Sequence, residues 1–242
     1  MWSIAPMITT TNLSKFRRST MTKPLRKPDA IFFDWDGTLV DSLPALNGYY
    51  NHVLAVYSKP AISIEEAKRN IRRSAREVFP EVFGDQADEA LNVFYDYVSK
   101  THLEHLEVFV ESHDFMAELA TLNIQLGIVS NKKHSFLLKE ISHLGWDKYL
   151  VSNIGAGEAA KDKPEPDPLL LAASKIGLSP EVNEIWYVGD TETDMMAAVA
   201  AGFQPIFIEH GLGDRSDCEK HGLAPYFVKD LLQLMELVKK YA

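Results

Sequence analysis

The stretch AIFFDWDGTLVDS, residues 30–42, joins a short apolar run to two acidic residues. Residues 30–33 are too few for a helix and are of types that favour strands, so they predict a buried β-strand. Asp34 and Asp36 follow this strand directly. Two carboxylates held close together repel each other, so the arrangement is costly unless a cation or a reaction uses it. The segment therefore predicts a strand that carries two acids into a functional site.

Short apolar runs alternate with longer amphipathic stretches from residue 29 onward. Further strands are expected at 124–129, 149–151, 184–189, 205–208 and 225–228. Helices with recognisable ends lie between the later strands, at 167–177 and 191–202, and a last helix opens at Asp230. This alternation predicts an α/β fold, a doubly wound parallel sheet covered by helices on both faces.

The region 42–106 breaks the alternation, because it has helical patterning and no strand signal. Three helices are expected there, at 42–57, 64–79 and 86–105. Ser63 and Glu66 form an S-x-x-E capping box at the start of the second. We therefore expect a helical cap at 42–106, inserted into a core made of 29–41 and 107–242.

Residues 1–28 differ in composition from the rest of the chain. They hold six basic residues and no acidic one, and they lack the apolar segment of a secretory signal. A disordered tail is the favoured interpretation, with Met21 as an alternative start. An organelle transit peptide is the competing interpretation.

Composition limits the function classes. A hydrophobic content of 46% and a charged content of 24% are typical of a globular protein. The net charge of −9 argues against a nucleic-acid partner, and no apolar run approaches the roughly 18 residues of a membrane span. The single cysteine, Cys218, cannot form an internal disulfide, which favours a reducing, cytoplasmic location. We expect a monomer or homodimer.

Polar side chains follow several of the expected strands, where parallel sheets bind their ligands. These residues are Asp34 and Asp36, Ser130 and Asn131, and Asp190, with Lys163 and Asp194 close enough to join them. Several carboxylates around a small volume indicate a hard divalent cation, and oxygen ligands suit Mg²⁺. The hydroxyl, amide and ammonium groups, with backbone N–H groups near Gly37, would bind an anion beside the metal. Magnesium beside an anion indicates a phosphate substrate.

Two carboxylates with separate tasks would explain the opening stretch. An ionised carboxylate can attack phosphorus and form an aspartyl phosphate. A second carboxylate two residues later can protonate the leaving alkoxide and then deprotonate the hydrolytic water.

The segments DWDGT, VSN, KPEPDP and GDTETD, in this order, resemble the four motifs of the haloacid dehalogenase superfamily, and they look most like its phosphoglycolate phosphatase-type branch. The resemblance implies that Asp34 is the nucleophile and a metal ligand, and that Asp36 is the general acid and base and gives the metal its backbone carbonyl. It implies the following further roles: Ser130 with Asn131, Gly37 and Thr38 for the phosphoryl group, Lys163 for charge stabilisation, and Asp190 and Asp194 for the metal. The helical insertion resembles the mobile cap of this family. Trp35 is a departure, because this position more often holds Phe, Leu or Met.

Several of these residues also have a purely structural interpretation. Asp167 precedes a proline and is expected to cap a helix. Thr191 and Asp194 form a capping pair, so Asp194 is expected to be partly structural. Lys163, taken alone, would be a solvated loop lysine. His102 and His105 stand at i, i+3 without a third ligand and are expected on a solvated face.

Arginines in the expected helix 64–79 give a hint about the substrate. Arg69, Arg72, Arg73 and Arg76 fall at i, i+3, i+4 and i+7 and would form one stripe. The stripe would clamp a second anionic group of the substrate if it faces the catalytic edge. The alternative is a solvated face paired with Glu65, Glu66 and Glu77.

The sequence therefore predicts a Mg²⁺-dependent phosphatase for a small phosphorylated metabolite, with phosphoglycolate as the first candidate. Alternatives are a sugar phosphomutase of the same fold, similar to β-phosphoglucomutase, and a catalytically silent phosphate-binding protein. Dehalogenation is disfavoured, because it needs neither a magnesium cluster nor an acid at Asp36.

Overall fold

The computed structural model describes residues 24–70, 74–223 and 225–242, without the side chains of Arg69 and Asn70. These residues form a six-stranded parallel sheet in the order β3-β2-β1-β4-β5-β6. The strands are β1 Ala30–Phe33, β2 Gln125–Lys133, β3 Ser152–Ala156, β4 Ile185–Gly189, β5 Gln204–Ile208 and β6 Tyr226–Val228.

Helices surround the sheet. They are α1 Leu43–Val56, α2 Ile64–Asn70, α3 Ala75–Phe83, α4 Ala87–Thr101, α5 Ser112–Leu119, α6 His134–His143, α7 Asp167–Lys175, α8 Glu192–Ala201, α9 Arg215–Lys220 and α10 Leu231–Tyr241. Among the described residues, none of these helices combines the length and the apolar content needed to cross a bilayer.

Strand β1 lies in the middle of the sheet, paired with β2 on one side and β4 on the other. Its side chains alternate between the two faces, as in any strand. Ile31 and Phe33 pack in a hydrophobic cluster with α5, α6 and α10, and Ala30 and Phe32 pack in a second cluster with α7 and α8. Helices therefore cover both faces of the sheet, and the α/β doubly wound fold class is confirmed.

Helices α1 to α4, which we call the inserted helices, lie between β1 and β2 in the chain. They pack around a cluster of their own, rich in aromatic residues such as Tyr49, Phe79 and Phe94. Phe136 of α6 joins this cluster and so connects it to the sheet-bound part of the chain. The exact limits of a cap at 42–106 stay a prediction, and so does its movement.

Most helix ends expected from the sequence are confirmed, but Asp167 does not cap α7: it is the first residue of that helix, and Pro166 stands at the cap position. Thr191 caps α8, and Gly202 ends it with a φ of 76°, a left-handed conformation that glycine adopts at low cost. Asp230 caps α10 by accepting a hydrogen bond from the Gln233 amide at 2.8 Å. Ser63 and Glu66 exchange the two hydrogen bonds of a capping box, at 2.9 and 3.2 Å.

Two element predictions were wrong. The single helix expected at 64–79 is two helices, because Ser74 takes an extended conformation (ψ 147°) that a helix cannot contain. The strand expected at 149–151 is displaced: Tyr149 ends a 3₁₀ turn, and β3 begins only at Ser152. The apolar side chain of Leu150 suggested a strand, but Leu150 packs in the hydrophobic core cluster without pairing in a strand.

Candidate active site

Most of the polar residues expected at the strand ends line one cavity of about 110 Å³ between the sheet and the inserted helices, whereas Asp190 is fully buried and does not line it. From the sheet side, the cavity is lined by Asp34, Asp36, Ser130, Asn131, Lys163 and Asp194. The convergence follows from the topology, because β1, β2 and β4 are adjacent parallel strands whose carboxyl ends lie at one edge.

Three carboxylates form a compact cluster at this edge. One oxygen from each of Asp34, Asp190 and Asp194 lies within 4.8 Å of the other two, and all three residues are buried. The only cation paired with this cluster among the described residues is Lys163. One positive charge against three negative ones leaves a buried excess that a divalent cation would offset, so these residues fit an oxygen-ligated metal such as Mg²⁺.

Asp34 is the most exposed of the three clustered residues, at 8% against 0% for Asp190 and 1% for Asp194. Lys163 Nζ forms an ion pair with its Oδ1 at 2.8 Å, and this buried oxygen accepts no hydrogen bond from any other described residue. Burial raises the pKa of Asp34 to about 7, Lys163 opposes the change, and Asp194 and Asp36 reinforce it. A second cation near Asp34 would favour the ionised form that a nucleophile needs.

Asp190 is enclosed by the backbone. Its Oδ2 accepts a hydrogen bond from the Leu212 amide at 2.6 Å, and its Oδ1 accepts one from the Thr38 hydroxyl at 3.1 Å. Burial raises the pKa of Asp190 well above its ordinary value, and the charges of Asp194 and Asp34 add to this. Gly37 has a φ of 84°, and a Cβ there would lie 2.3 Å from Asp190 Oδ2, so only glycine fits.

The loop after β1 corrects one expectation about phosphate binding. The amide of Gly37 donates to Val40 O at 2.8 Å, and the amide of Thr38 donates to Trp35 O at 3.3 Å. Both amides are thus used within the loop. Among the described residues, the amides of Trp35 and Asp36 make no hydrogen bond, and they are the free donors of this loop.

Lys163 is buried, so its interpretation as a solvated loop lysine is wrong. Its Nζ donates to Asp194 Oδ1 at 2.7 Å and to Tyr187 Oη at 2.8 Å. Burial alone would lower the pKa of Lys163, but the charges of Asp194 and Asp34 outweigh it and raise the pKa. The Asn131 amide group exchanges two 3.0 Å hydrogen bonds with the Lys163 backbone. Asn131 therefore positions Lys163, and its contact with substrate stays a prediction.

Tyr187 was not predicted from the sequence. Its hydroxyl donates to Val129 O at 2.6 Å and accepts from Lys163, so it fixes the ammonium group from below. Its burial, with Asp194 and Asp34 nearby, raises its pKa well above the ordinary value, and it stays neutral. Tyr187 lies within the apolar run of β4, where the sequence predicts a core residue. Its hydroxyl, the polar group of that side chain within the run, was the one available sign of a role in the site.

Asp194 caps a helix, as expected, and it also lies where it could serve as a metal ligand. Its Oδ2 accepts hydrogen bonds from the Thr191 amide at 3.0 Å and the Thr191 hydroxyl at 2.6 Å, which completes the capping box. Its Oδ1 pairs with Lys163 and belongs to the carboxylate cluster.

The Asp36 carboxylate is not part of the three-carboxylate cluster. Its Oδ1 accepts a hydrogen bond from Lys132 Nζ at 2.9 Å, and its side chain is 15% exposed. Metal ligation by its backbone carbonyl stays a prediction. Lys132 was not predicted, although it directly follows the VSN segment. Burial would lower the pKa of Lys132, but Asp36 and Glu140 raise it, so the group is charged.

Lys132 also contacts a buried carboxylate, that of Glu140. Glu140 of α6 accepts hydrogen bonds from Lys132 Nζ and from Trp35 Nε1, both at 2.7 Å. His102 Nδ1 lies 2.8 Å from its other oxygen, so the expectation of a solvated His102 was wrong. Burial would raise the pKa of Glu140, but Lys132 and the hydrogen bonds lower it. One sequence signal could have found this residue: Glu140 falls on the apolar stripe of α6, with Phe136, Leu137 and Ile141.

Of the four arginines expected to form a stripe, only Arg76 has a described side chain. Arg72 and Arg73 lie outside the described residues, as does the side chain of Arg69. Arg76 lies on α3, not on the helix of Arg69, and its guanidinium pairs with the buried Asp162 at 2.5 Å. This pair ties an inserted helix to the loop before Lys163. The described ion-pair partner of Arg76 is therefore Asp162 and not Glu77, and a contact of Arg76 with substrate stays a prediction.

The inserted helices give the cavity a largely aromatic roof. Tyr49, Tyr50, Phe94 and Tyr95 line it, together with Ser74 at the start of α3. Ser74 is buried, and its hydroxyl has no partner among the described residues. The roof therefore offers shape and at least one hydroxyl to whatever part of a ligand extends from the carboxylate cluster.

Comparisons with known proteins agree with this site. Residues 31–208 match the family model described as haloacid dehalogenase-like hydrolase. A phosphoglycolate phosphatase of Xanthomonas campestris pv. campestris (strain 8004) is 30% identical over 196 residues, which is 78% of this chain and 88% of that protein. The phosphoglycolate phosphatase of Escherichia coli (strain K12) is 28% identical over 234 residues, covering 86% and 92%.

The fold is shared with solved structures. A hydrolase of the haloacid dehalogenase-like family from Streptococcus pneumoniae superposes with a TM-score of 0.78 at 23% identity, covering 87% of this chain and 98% of that one. The family match and the phosphoglycolate phosphatase relatives confirm the resemblance found in the four motifs. The chain belongs to the haloacid dehalogenase-like hydrolases, in their phosphoglycolate phosphatase-like branch.

Proposed function

We propose that the protein is a Mg²⁺-dependent phosphatase of small phosphate monoesters, with phosphoglycolate as the first candidate, acting through an aspartyl phosphate on Asp34. The observation that carries this proposal is the cluster of three buried carboxylates and one ammonium group, beside a cavity that Ser130 and Asp36 line. The similarity to phosphoglycolate phosphatases supports the choice of first substrate.

The first half of the reaction uses Asp34 as the nucleophile. Its carboxylate attacks phosphorus, and the bond from phosphorus to the ester oxygen breaks. Asp36 gives its proton to the leaving alkoxide. Lys163 and the Ser130 hydroxyl stabilise the charge on the phosphoryl oxygens, with the free amides of Trp35 and Asp36 as further donors.

The second half releases phosphate. Asp36, now ionised, takes a proton from a water molecule that attacks phosphorus of the aspartyl phosphate. The bond between phosphorus and the Asp34 oxygen breaks, inorganic phosphate leaves, and Asp34 is an ionised carboxylate again.

Mg²⁺ would be held by the carboxylates of Asp34, Asp190 and Asp194 and by the backbone carbonyl of Asp36. When bound, it would offset the negative charge of the cluster and polarise a phosphoryl oxygen. The inserted helices would close over the substrate and exclude bulk water until the attack is complete.

The test is phosphate release from a panel of monoesters that includes phosphoglycolate, hexose phosphates, nucleotides and pyridoxal phosphate, each with Mg²⁺ and with chelator. We expect one ester to dominate and the release to need the metal. Asp34→Asn should abolish turnover without loss of fold, whereas exposed Asp85→Asn should not change it. Isomerisation of a hexose 1-phosphate without phosphate release would replace this proposal by the mutase alternative.

A further inference from the structure

A buried network lies behind the proposed acid and base Asp36, outside the carboxylate cluster. Lys132 Nζ bridges two carboxylates, at 2.9 Å from Asp36 Oδ1 and 2.7 Å from Glu140 Oε2. The Lys132 side chain is 12% exposed and that of Glu140 is 1% exposed, so water screens this chain of charges little.

Glu140 is held rigidly. Trp35 Nε1 donates to the same oxygen that Lys132 contacts, and His102 Nδ1 lies 2.8 Å from the other oxygen. With groups on both oxygens, the carboxylate has one orientation. Lys132 consequently has one position between the two acids.

This position constrains Asp36. Lys132 occupies its Oδ1, whereas Oδ2 makes no hydrogen bond to any other described residue. Asp36 also lines the cavity. The network therefore fixes the orientation of the Asp36 carboxylate and leaves one oxygen for a proton.

We propose that Glu140 is a positioning residue for the proposed reaction: acting through Lys132, it holds Asp36 in the orientation that protonates the leaving group. The inference rests on the proposed phosphatase function. His102, which directly follows α4 as its C-cap, makes the same network a link between the inserted helices and Asp36.

Without Glu140, Lys132 keeps Asp36 as its one partner in the network and can turn with it. The proton donor then loses its fixed place while the nucleophile keeps its own contacts, because Asp34 is held by a separate lysine, Lys163. The expected defect is specific to proton transfer and not to substrate binding.

The experiment compares two esters whose leaving groups differ in their need for a proton. The alkoxide of phosphoglycolate needs one, whereas p-nitrophenolate spreads its charge over the ring and leaves without one. For Glu140→Gln we expect kcat on phosphoglycolate to fall about 10- to 100-fold, part of the roughly 10²- to 10⁴-fold effect of a general acid. KM should stay within about twofold and kcat on p-nitrophenyl phosphate within about threefold.

Lys132→Gln removes the same link from its other end and must show the same dependence on the leaving group. If Glu140 acts through Lys132, the double variant is no slower than Lys132→Gln alone. Glu236→Gln is the matched control: it makes the same change at an exposed residue of α10 outside the network, and should leave the ratio of the two activities unchanged.

The outcomes separate the two proposals. If the wild-type protein releases phosphate from no ester of the panel, the proposed function fails and this inference fails with it. If the wild-type protein is active but Glu140→Gln slows both esters equally, or neither, only the positioning role is refuted. Multiplying defects in the double variant would also refute it, because the two residues would then act separately.

Discussion

Replacing Asp34 by Asn should make the metal-free protein more stable, although it should also abolish turnover. The wild-type cluster holds three buried carboxylates with one lysine. Removing one negative charge relieves repulsion that the fold otherwise bears. The carboxamide has nearly the same shape, so packing around it should change little.

The magnitude follows from the pKa of Asp34, which burial raises from 3.8 to about 7. At about 1.4 kcal/mol per tenfold change in proton affinity, this corresponds to about 4 kcal/mol. The folded protein binds the proton more tightly than the unfolded chain, so this stability is present below pH 3.8 and is lost as the pH rises to about 7. Asn carries no titrating group, and the variant should escape this loss.

The assay is urea unfolding with chelator at about pH 8 and about pH 5, where the ionised fraction of Asp34 differs most. We expect the metal-free variant to exceed the wild-type protein by about 2–4 kcal/mol at the higher pH and by less at the lower pH. Added Mg²⁺ should stabilise the wild-type protein more than the variant. Exposed Asp85→Asn, as a control, should change the free energy of unfolding by less than about 0.5 kcal/mol.

The reasoning would be refuted by a metal-free Asp34→Asn protein that is no more stable than the wild-type protein at the higher pH. It would also be refuted by a gap that does not narrow at the lower pH. Either result would mean that Asp34 gains more from its contact with Lys163 than it loses through burial.

Three further substitutions test other contacts of the site. Asp190→Asn should reduce the rise in melting temperature that Mg²⁺ causes, because it removes an anionic ligand from the cluster; an unchanged rise would exclude Asp190 as a ligand. Gly37→Ala should cost at least about 1–2 kcal/mol for the left-handed backbone alone, and unfolding should confirm this while turnover falls, because the new Cβ displaces the Asp190 carboxylate. Tyr187→Phe should cost about 1–3 kcal/mol by leaving Val129 O unpaired and should lower kcat, because Lys163 loses a partner. Wild-type kcat in a folded Tyr187→Phe protein would show that the hydroxyl does not position the lysine.

The part of the site that the sequence predicted depends on short-range rules. Asp34, Ser130 and Asp190 each come at the end of an apolar run, and parallel strands bring such ends together whatever the details of packing. The order of the four motifs along the chain then indicated that these residues belong to one site. The same rules placed the capping residues Thr191 and Asp230, because a cap depends on its immediate neighbours.

The rest depends on contacts between distant segments. Glu140 meets Trp35 and His102 across 105 and 38 residues of chain, and no local pattern encodes those distances. The local sequence predicts an exposed His102, because the residues that bury it belong to α6, a distant segment of the chain. The break at Ser74 was missed for a related reason: the arginine spacing continues the helical period even though the backbone does not.

The central place of β1 in the sheet also affects how rarely the part of the site attached to it unfolds locally. All four residues of β1 are buried, and both of its edges are hydrogen bonded to neighbouring strands. Amides in such a strand exchange with deuterium only when the whole domain opens, whereas helices packed outside the sheet open far more often. The proposed nucleophile is thus attached to the slowest-exchanging element of the fold. We therefore expect Asp34 to keep its position while the inserted helices above it open and close.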